Sequence, residues 1–209
     1  VLTPKKGDIK KLLDLACENA KVALTEEEEL LKKNDSARIE AKKDLEKLLG
    51  ISNISRIECF DNSHLFGTFY VGGMVVFEDF LPNKDLYRKY KISTEVKDDL
   101  NAMREVIYRR YYRLLMEQKE MADLIIVDGG LGQIKVAKEV IDSLNLSVHI
   151  CGLSKDDKHS TAMLLDEDGN QVPIDTKSPL FFLLTRMQDE VHRYAISFHR
   201  QVRSKSLFS

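Results

Sequence analysis

Four residues have the chemical types and the positions needed for metal-dependent chemistry. Asp61 ends the apolar run "IECFD", Asp128 ends the apolar run "LIIVD", Asp99 opens a helical segment, and His192 lies in "DEVHRYAISFHR". Carboxylates at the ends of neighbouring strands repel each other unless a divalent cation lies between them, and oxygen ligands suit Mg²⁺ or Mn²⁺. A pair of such ions about 3.5–4 Å apart activates water and stabilises the leaving oxygen of a phosphodiester.

Each of these residues also has a simpler interpretation. Asp61 is of a type that caps turns such as "DNSH", and Asp128 is of a type that occupies turns. Asp99 suits the positive end of a helix without any further role. His192 fits a partly buried, hydrogen-bonded histidine. Two strand-end acids together with a histidine favour the metal site more strongly than any one of them alone.

The glycine-rich segment "DGGLGQ" after Asp128 raises a second possibility. A glycine loop between a strand and a helix is able to cradle a phosphate group. This loop lacks the Lys-Ser/Thr of a P-loop, and Gly130-Leu131-Gly132 is not followed by a third glycine at the dinucleotide-binding spacing. A nucleotide-binding α/β protein is therefore a rival with weak support.

The first fifty residues predict a helical arm. Apolar residues recur at helical spacing from residue 8 to residue 49, and Gly50 ends the pattern. Asn34–Ser36 predicts a break between two helices. The arm shows no visible chemistry, so we interpret residues 1–50 as a scaffold or linker.

After Gly50 the chain predicts a mixed sheet. Ile54–Asp61, Thr68–Phe80 and Asp85–Ser93 are rich in β-branched and aromatic residues and predict an antiparallel meander with a turn at Leu81–Asn83. Leu124–Asp128 and Val148–Leu153 predict two short buried strands.

Helices and one hairpin complete the predicted fold. One helix begins at Asp98 and Asp99, a second spans Gln133–Leu144, and the last begins near Ser178; a hairpin surrounds Asp168–Gly169. The order predicts a mixed five-stranded sheet with helices on both faces, the layout of an RNase H-like fold, for residues 51–209. The buried stripe of the first helix is predicted to contain Leu100, Met103, Ile107, Tyr111 and Leu114, and that of the last helix Leu184, Met187, Val191, Ala195, Phe198 and Val202.

Composition narrows the class of protein. The 209 residues carry a net charge of −2, and 43% of them are hydrophobic. No run approaches the roughly 20 apolar residues that span a bilayer, and no signal-peptide pattern opens the chain. Cys17, Cys59 and Cys151 lie far apart, which indicates reduced thiols in a cytosolic protein. Because the chain starts at Val1, we expect a segment of a longer protein.

Basic residues cluster in two helical segments. Between Arg186 and Ser209 there are five Lys or Arg residues against two acids, and Arg193, Arg200 and Arg203 share one helix face. The segment "RRYYR" contributes Arg109 and Arg110. Arginine contacts to phosphates provide sequence-independent affinity for DNA, so all five arginines are candidate DNA ligands. A solvated helix face is the simpler alternative for both clusters.

The motifs together resemble a known family. "IECFDNSH", "DDLNAMREVIYRRY", "LIIVDGGLGQ", "GLSK" and "DEVHRYAISFHRQVR" resemble, in order and at similar spacing over residues 50–205, the C-terminal half of the UvrC family, the excinuclease subunits of bacterial nucleotide excision repair. "DNSH" departs from the expected "DISH" only at Asn62, which is not a proposed ligand.

The resemblance implies an RNase H-like endonuclease that makes the incision 5′ of a DNA lesion. The family's catalytic positions fall on Asp61, Asp99, Asp128 and His192, with Asp61, Asp128 and His192 as metal ligands and Mg²⁺ or Mn²⁺ as the cofactor. It also implies a bacterial cytoplasmic protein of DNA repair and the SOS response that acts on damaged double-stranded DNA with UvrB, downstream of UvrA. Helix-hairpin-helix repeats, expected to follow this segment in the family, would assist DNA binding.

The sequence therefore predicts a divalent-metal-dependent DNA endonuclease. Its hydrolysis of a phosphodiester is expected to leave a 3′-hydroxyl and a 5′-phosphate. The alternative is an RNase H-like scaffold that binds DNA or a repair partner without cutting.

Overall fold

The N-terminal arm is one long helix. A computed structural model describes residues 8–65, 69–92, 98–155 and 162–206 of the chain, and helix α1 spans Asp8–Leu49 without interruption. The predicted break at Asn34–Ser36 is wrong. Ser36 Oγ donates to the Lys32 carbonyl at 2.9 Å, and Asp35 pairs with Arg38 at 3.0 Å. These side chains are satisfied within the helix and therefore do not cap a new one.

The end of α1 packs on the rest of the molecule. Ala41 and Leu45 are fully buried in a hydrophobic cluster that also contains Ile54 and Leu180. Earlier in α1, apolar side chains such as Ile9 and Leu12 are largely exposed. The division of the chain at residue 50 remains a prediction, because the last turns of the arm already contribute to the core.

The predicted meander forms the first half of the sheet. Strand β1 is Arg56–Leu65, β2 is Phe69–Glu78 and β4 is Arg88–Lys91, and β2 lies antiparallel to both of the others. The turn predicted at Leu81–Asn83 is misplaced: the chain turns at Asp79 and Phe80, which both have positive φ, and Leu81–Pro82 forms the two-residue strand β3. Lys84–Leu86 then forms a 3₁₀ turn. Ser93 and Thr68, included in the predicted strands, lie outside the described residues.

Two parallel strands form the second half. Strand β5 is Leu124–Asp128, as predicted, and β6 is His149–Lys155; β5 runs parallel to both β1 and β6. Helix α2, Asp99–Met116, connects the meander to β5. Helix α3, Leu131–Ser143, connects β5 to β6. This crossover geometry is what consecutive helix–strand units produce.

The sheet is wider than predicted. In the described part of the chain it has eight strands, with the order β3-β2-β1-β5-β6-β7-β8 and β4 paired to β2. The five central strands, in the order β4-β2-β1-β5-β6, are those expected from the sequence. The predicted hairpin also forms: Ala162–Leu165 is β7 and Gln171–Val172 is β8. It adds to the sheet by pairing antiparallel with β6, which leaves β6 no longer an exposed edge.

The two faces of the sheet bury separate cores. One core lies under α1 and helix α4, which spans Pro179–Ser206, and the other lies under α2 and α3. The predicted stripe of α2 is confirmed except at Leu100, which is 39% exposed although its side chain contacts Gly132 at the start of α3. Leu184, Met187, Val191 and Ala195 of α4 are buried as predicted, whereas the side chains of Phe198 and Val202 lie outside the described set.

None of the helices in the described part of the chain is long and apolar enough to cross a membrane.

Candidate metal centre

The register of two parallel strands brings Asp61 and Asp128 together. Phe60 of β1 pairs with Val127 of β5, so the acid that follows each lies at the same level of the sheet. Asp128 ends β5, and Asp61 lies within β1 opposite Gly73 of β2. Asp61 is only 6% exposed. Two carboxylates side by side, one of them buried, create a local concentration of negative charge.

His192 reaches this pair from α4. Its Nδ1 lies 2.9 Å from Asp61 Oδ2, and its side chain is 51% exposed. Helix α4 crosses the sheet close to β2, where the backbone of Ala195 lies about 3.0 Å from the position that a Cβ on Gly73 would occupy. The absence of a side chain at Gly73 therefore allows α4 to bring His192 to the buried acid.

The three side chains fit a divalent cation. One ligand atom from each of Asp61, Asp128 and His192 lies within 4.8 Å of the others. Ligands around an octahedral cation at about 2.1 Å are roughly 3 to 4.2 Å apart, so the side chains need only small shifts to close on an ion. The imidazole nitrogen and the carboxylate oxygen at 2.9 Å need a shared proton or a shared cation between them. The oxygen ligands of the two carboxylates suit a hard divalent cation.

Asp99 lies beside this group without belonging to it. Its Oδ2 accepts a hydrogen bond from Gln133 Nε2 at 3.1 Å, and its backbone carbonyl accepts one from Asn62 Nδ2 at 3.3 Å. Burial raises the pKa of the Asp99 carboxyl; the bond from Gln133 opposes this rise, and the negative charge of Asp61 adds to it. Asp99 is thus close enough to sense Asp61 electrostatically.

The glycine loop fixes the start of α3 and carries Gln133. Gly130 is the N-cap of α3, and its N–H donates to Gln133 Oε1 at 3.1 Å. Gly129 has a φ of +154°, and a Cβ there would lie 2.6 Å from the Gln133 side chain. The loop therefore folds around a glutamine that also bonds Asp99. Because Gln133 already accepts the Gly130 N–H, the structure gives the phosphate-cradle interpretation no added support.

Sequence reasoning missed a fifth contributor, Gln188. It is 3% exposed, and its Nε2 donates to Asp128 Oδ1 at 2.8 Å and to the Leu153 carbonyl at 3.3 Å. Gln188 precedes His192 by one helical turn, so both point from the same face of α4. That i, i+4 spacing was the available signal, although a glutamine in an amphipathic helix more often faces solvent.

One arginine proposed to contact DNA is buried. Arg110 donates to Glu58 through Nε at 3.1 Å and through Nη2 at 2.6 Å, and Glu58 is fully buried. Burial by itself would lower the pKa of Arg110, but the hydrogen bonds to Glu58 and the negative charge of Glu58 raise it. Arg110 connects α2 to β1 inside the molecule, so we withdraw it from the proposed DNA-contacting set.

Of the other four arginines, two are exposed and have protein partners. Arg109 is exposed and donates to the Lys91 carbonyl and to Glu105, and exposed Arg193 forms a two-pronged pair with Glu190. Both guanidinium groups therefore already have protein partners. The side chains of Arg200 and Arg203 lie outside the described residues, and their predicted role remains a prediction.

The sheet order and the paired carboxylates define the class of protein. An antiparallel meander leading into two parallel strands, with helices on both faces, is the RNase H-like arrangement, and Asp61 and Asp128 lie at adjacent strand positions within it.

The particular family follows from sequence comparison. A family model described as the UvrC RNase H endonuclease domain matches residues 46–196, and the chain belongs to this family. It is 52% identical over its full length to UvrABC system protein C of Streptococcus thermophilus strain ATCC BAA-491 / LMD-9, and 52% identical to that of strain CNRZ 1066. The chain spans 36% of the length of each of these curated relatives.

Solved structures that align with this chain include endonuclease V from two organisms. The catalytic domain of the human protein aligns with a TM-score of 0.46 and 15% identity, covering 86% of this chain and 98% of that one. The Ciona intestinalis protein, in complex with a 24mer DNA containing an inosine, aligns with a TM-score of 0.40 and 15% identity, covering 62% of this chain and 59% of that one.

Proposed function

We propose that this domain is a divalent-metal-dependent DNA endonuclease that makes the incision 5′ of a lesion in nucleotide excision repair. The observation that carries the proposal is the convergence of Asp61, Asp128 and His192, whose ligand atoms lie within 4.8 Å of one another. Membership of the UvrC RNase H endonuclease family supports the reaction class. Mg²⁺ or Mn²⁺ would be the cofactor.

Asp61 and Asp128 would hold the cation, with His192 as a third ligand. When bound, the cation supplies charge neutralisation at the phosphate and activation of the attacking water. Because imidazole is neutral, His192 leaves the site with one negative charge fewer than a third carboxylate would. Weak cation binding before a phosphate arrives would then limit cutting of undamaged DNA.

Asp99 would orient the attacking water or act as a further ligand. Burial raises the pKa of its carboxyl, which makes Asp99 a better proton acceptor than an exposed aspartate. Its bond to Gln133 fixes the direction of one carboxylate oxygen. In this role Asp99 would take part in moving a proton away from the water at the phosphorus.

The DNA and protein partners belong to the proposal as well. The substrate would be damaged double-stranded DNA, contacted through Arg109, Arg193, Arg200 and Arg203. The relatives' name, UvrABC system protein C, supports UvrB as the protein partner, with UvrA acting upstream and the reaction taking place in the bacterial cytoplasm. Within this scheme, residues 1–50 form a linker arm and residues 51–209 form the nuclease domain.

Mn²⁺ binding by this chain tests the metal site directly. Electron paramagnetic resonance of free Mn²⁺ during a titration should give a dissociation constant that rises at least about 10-fold in Asp61→Asn and in Asp128→Asn, since each loses a charged ligand. Asp142→Asn, which alters an exposed acid on α3, should bind as the wild type does. Mn²⁺ binding that is equal in all four proteins would contradict the proposal and favour a non-catalytic scaffold.

A further inference from the structure

We propose that Gln188 is a positioning residue that fixes the Asp128 carboxylate for cation binding. This inference rests on the proposed function and goes beyond it, because Gln188 acts through Asp128 and is not itself placed among the ligands.

The contacts of the Gln188 amide determine its orientation. Its nitrogen faces two acceptors, Asp128 Oδ1 at 2.8 Å and the Leu153 carbonyl at 3.3 Å. A flipped amide would point its oxygen at the same two acceptors, and three acceptors together would repel. Both N–H groups of the amide are therefore committed to the end of the β5–β6 pair, and the amide plane is fixed.

The backbone around Asp128 holds the second acceptor of the amide, the Leu153 carbonyl, in place. The Leu153 carbonyl also accepts the Gly129 N–H at 2.9 Å, and Asp128 pairs with Leu153 in the sheet. Gln188 thus bridges the Asp128 side chain to a carbonyl that the sheet already holds. With the amide 3% exposed, bulk water does not compete for the bond to Asp128.

The chemistry of the amide suits a cation site. A neutral donor restricts rotation of the Asp128 carboxylate and leaves its negative charge intact for a metal ion. A lysine or arginine at this position would place a positive charge beside the ligand and oppose cation binding. Hydrogen-bond partners of this kind typically change metal affinity 10- to 100-fold when they are removed.

Helix α4 therefore contributes to the site twice. Gln188 orients Asp128, and His192, one turn later, lies 2.9 Å from Asp61. Any displacement of α4 would disturb both acids at once, which connects the docking of this helix to the geometry of the cation site.

The test is Mn²⁺ titration of Gln188→Met, which keeps the side-chain length and removes the donor. We expect the Mn²⁺ dissociation constant to rise 10- to 100-fold, while Gln171→Met, on the exposed strand β8, has no effect. In the Asp128→Asn background, Gln188→Met should produce no further change beyond about 2-fold. A purely structural effect would instead weaken binding in both backgrounds.

The outcomes separate the two proposals. If Asp128→Asn weakens Mn²⁺ binding and Gln188→Met does not, the positioning role is wrong and the metal site stands. If Asp128→Asn binds Mn²⁺ like the wild type, the proposed function fails and this inference fails with it. Should Gln188→Met not fold, Gln188→Asn replaces it, because a side chain shorter by one methylene withdraws the donor from Asp128 and is expected to weaken binding in the same way.

Discussion

Asp123 fixes the ends of β1 and β5 opposite to the candidate site. Its Oδ2 accepts hydrogen bonds from the backbone N–H of Ser55 and of Arg56, each at 2.8 Å, and from Ser55 Oγ at 2.9 Å. Partial burial opposes ionisation, but the bonds from Arg56 and Ser55 outweigh it and lower the pKa of the Asp123 carboxyl. One acid thus aligns the strands that carry Asp61 and Asp128.

Asp123→Asn should therefore lose stability in a pH-dependent way. Since the folded-state pKa lies below the unfolded one, ionised Asp123 stabilises the fold above the unfolded pKa, and that contribution disappears as the pH falls through the folded pKa. We expect a loss of about 1 kcal/mol at neutral pH, discounted for solvent exposure, that shrinks toward zero as the pH falls below about 4 and through the folded pKa.

Urea denaturation of both proteins across this pH range measures the difference, with Asp142→Asn as the control on an exposed acid. A loss of stability that is the same at every pH would show that the Asp123 charge is not the cause.

Part of the site was predictable residue by residue. Asp61 and Asp128 each end or interrupt an apolar strand, and parallel pairing brings such positions to one level of the sheet. Gln133 and Gln188 were not predictable from their types, because a glutamine becomes informative only when the fold places an acid beside it. Arg110 had a signal that was available: it lies three residues after Ile107 and four before Leu114, on the buried face of α2.

At the scale of elements, α4 depends on a glycine in the neighbouring strand. A Cβ on Gly73 would lie 2.9 Å from Ala195 Cβ and 3.0 Å from the Ala195 backbone, so α4 would have to move away from β2. Gly73 pairs with Asp61, which places this contact directly beside the candidate site.

Gly73→Ala should consequently destabilise the domain by about 1–3 kcal/mol and shift His192 away from Asp61. Thermal unfolding measures the first effect. The matched control is Gly130→Ala, because a Cβ on Gly130 would meet nothing within 4 Å. If Gly73→Ala and Gly130→Ala unfold at the same temperature, α4 is free to adjust and the glycine is not required for its position.

A buried ion pair ties α2 to the central strand. Glu58 lies three residues before Asp61 on β1, and its bond to Arg110 joins β1 to the helix that begins with Asp99. Breaking such a pair by removing one partner typically costs 3–5 kcal/mol, because the remaining charge is left buried. Within the "RRYYR" segment, Arg110 therefore has a structural role, whereas Tyr112 is exposed and stacks at 5.5 Å on Tyr108, which precedes the segment.

Element types were predicted better than element limits. The predicted break in α1 is absent because Asp35 and Ser36 find hydrogen-bond partners inside the helix. Asn, Asp and Ser favour caps only when their side chains lack such partners. The additional width of the sheet was not predicted, for a different reason. The two-residue strand β3 has almost no periodic pattern to detect, and the predicted hairpin of β7 and β8 joins the sheet only through tertiary pairing with β6.

At the scale of the whole molecule, the candidate site lies at one end of the sheet. The parallel strands β1 and β5 bring their acids to one level, α4 closes the site from one face, and α2 and α3 approach from the other with Asp99 and Gln133. The set of five central strands followed from the sequence, because each strand and each intervening helix has its own residue pattern. The position of α4 over the site was not predictable from the sequence, because it depends on the contact between α4 and the glycine in β2.

Incision of a lesion-containing duplex by the full-length protein that includes this domain, in the presence of UvrA, UvrB and Mg²⁺, tests most directly whether Asp61 belongs to the proposed nuclease centre. With Asp61→Asn, we expect the 5′ incision to fall by at least about 100-fold, with unchanged thermal unfolding, because a cation ligand would be lost and the fold retained. Asp142→Asn should cut normally. A 5′ incision by Asp61→Asn at the wild-type rate would contradict the assignment of this site as the nuclease centre.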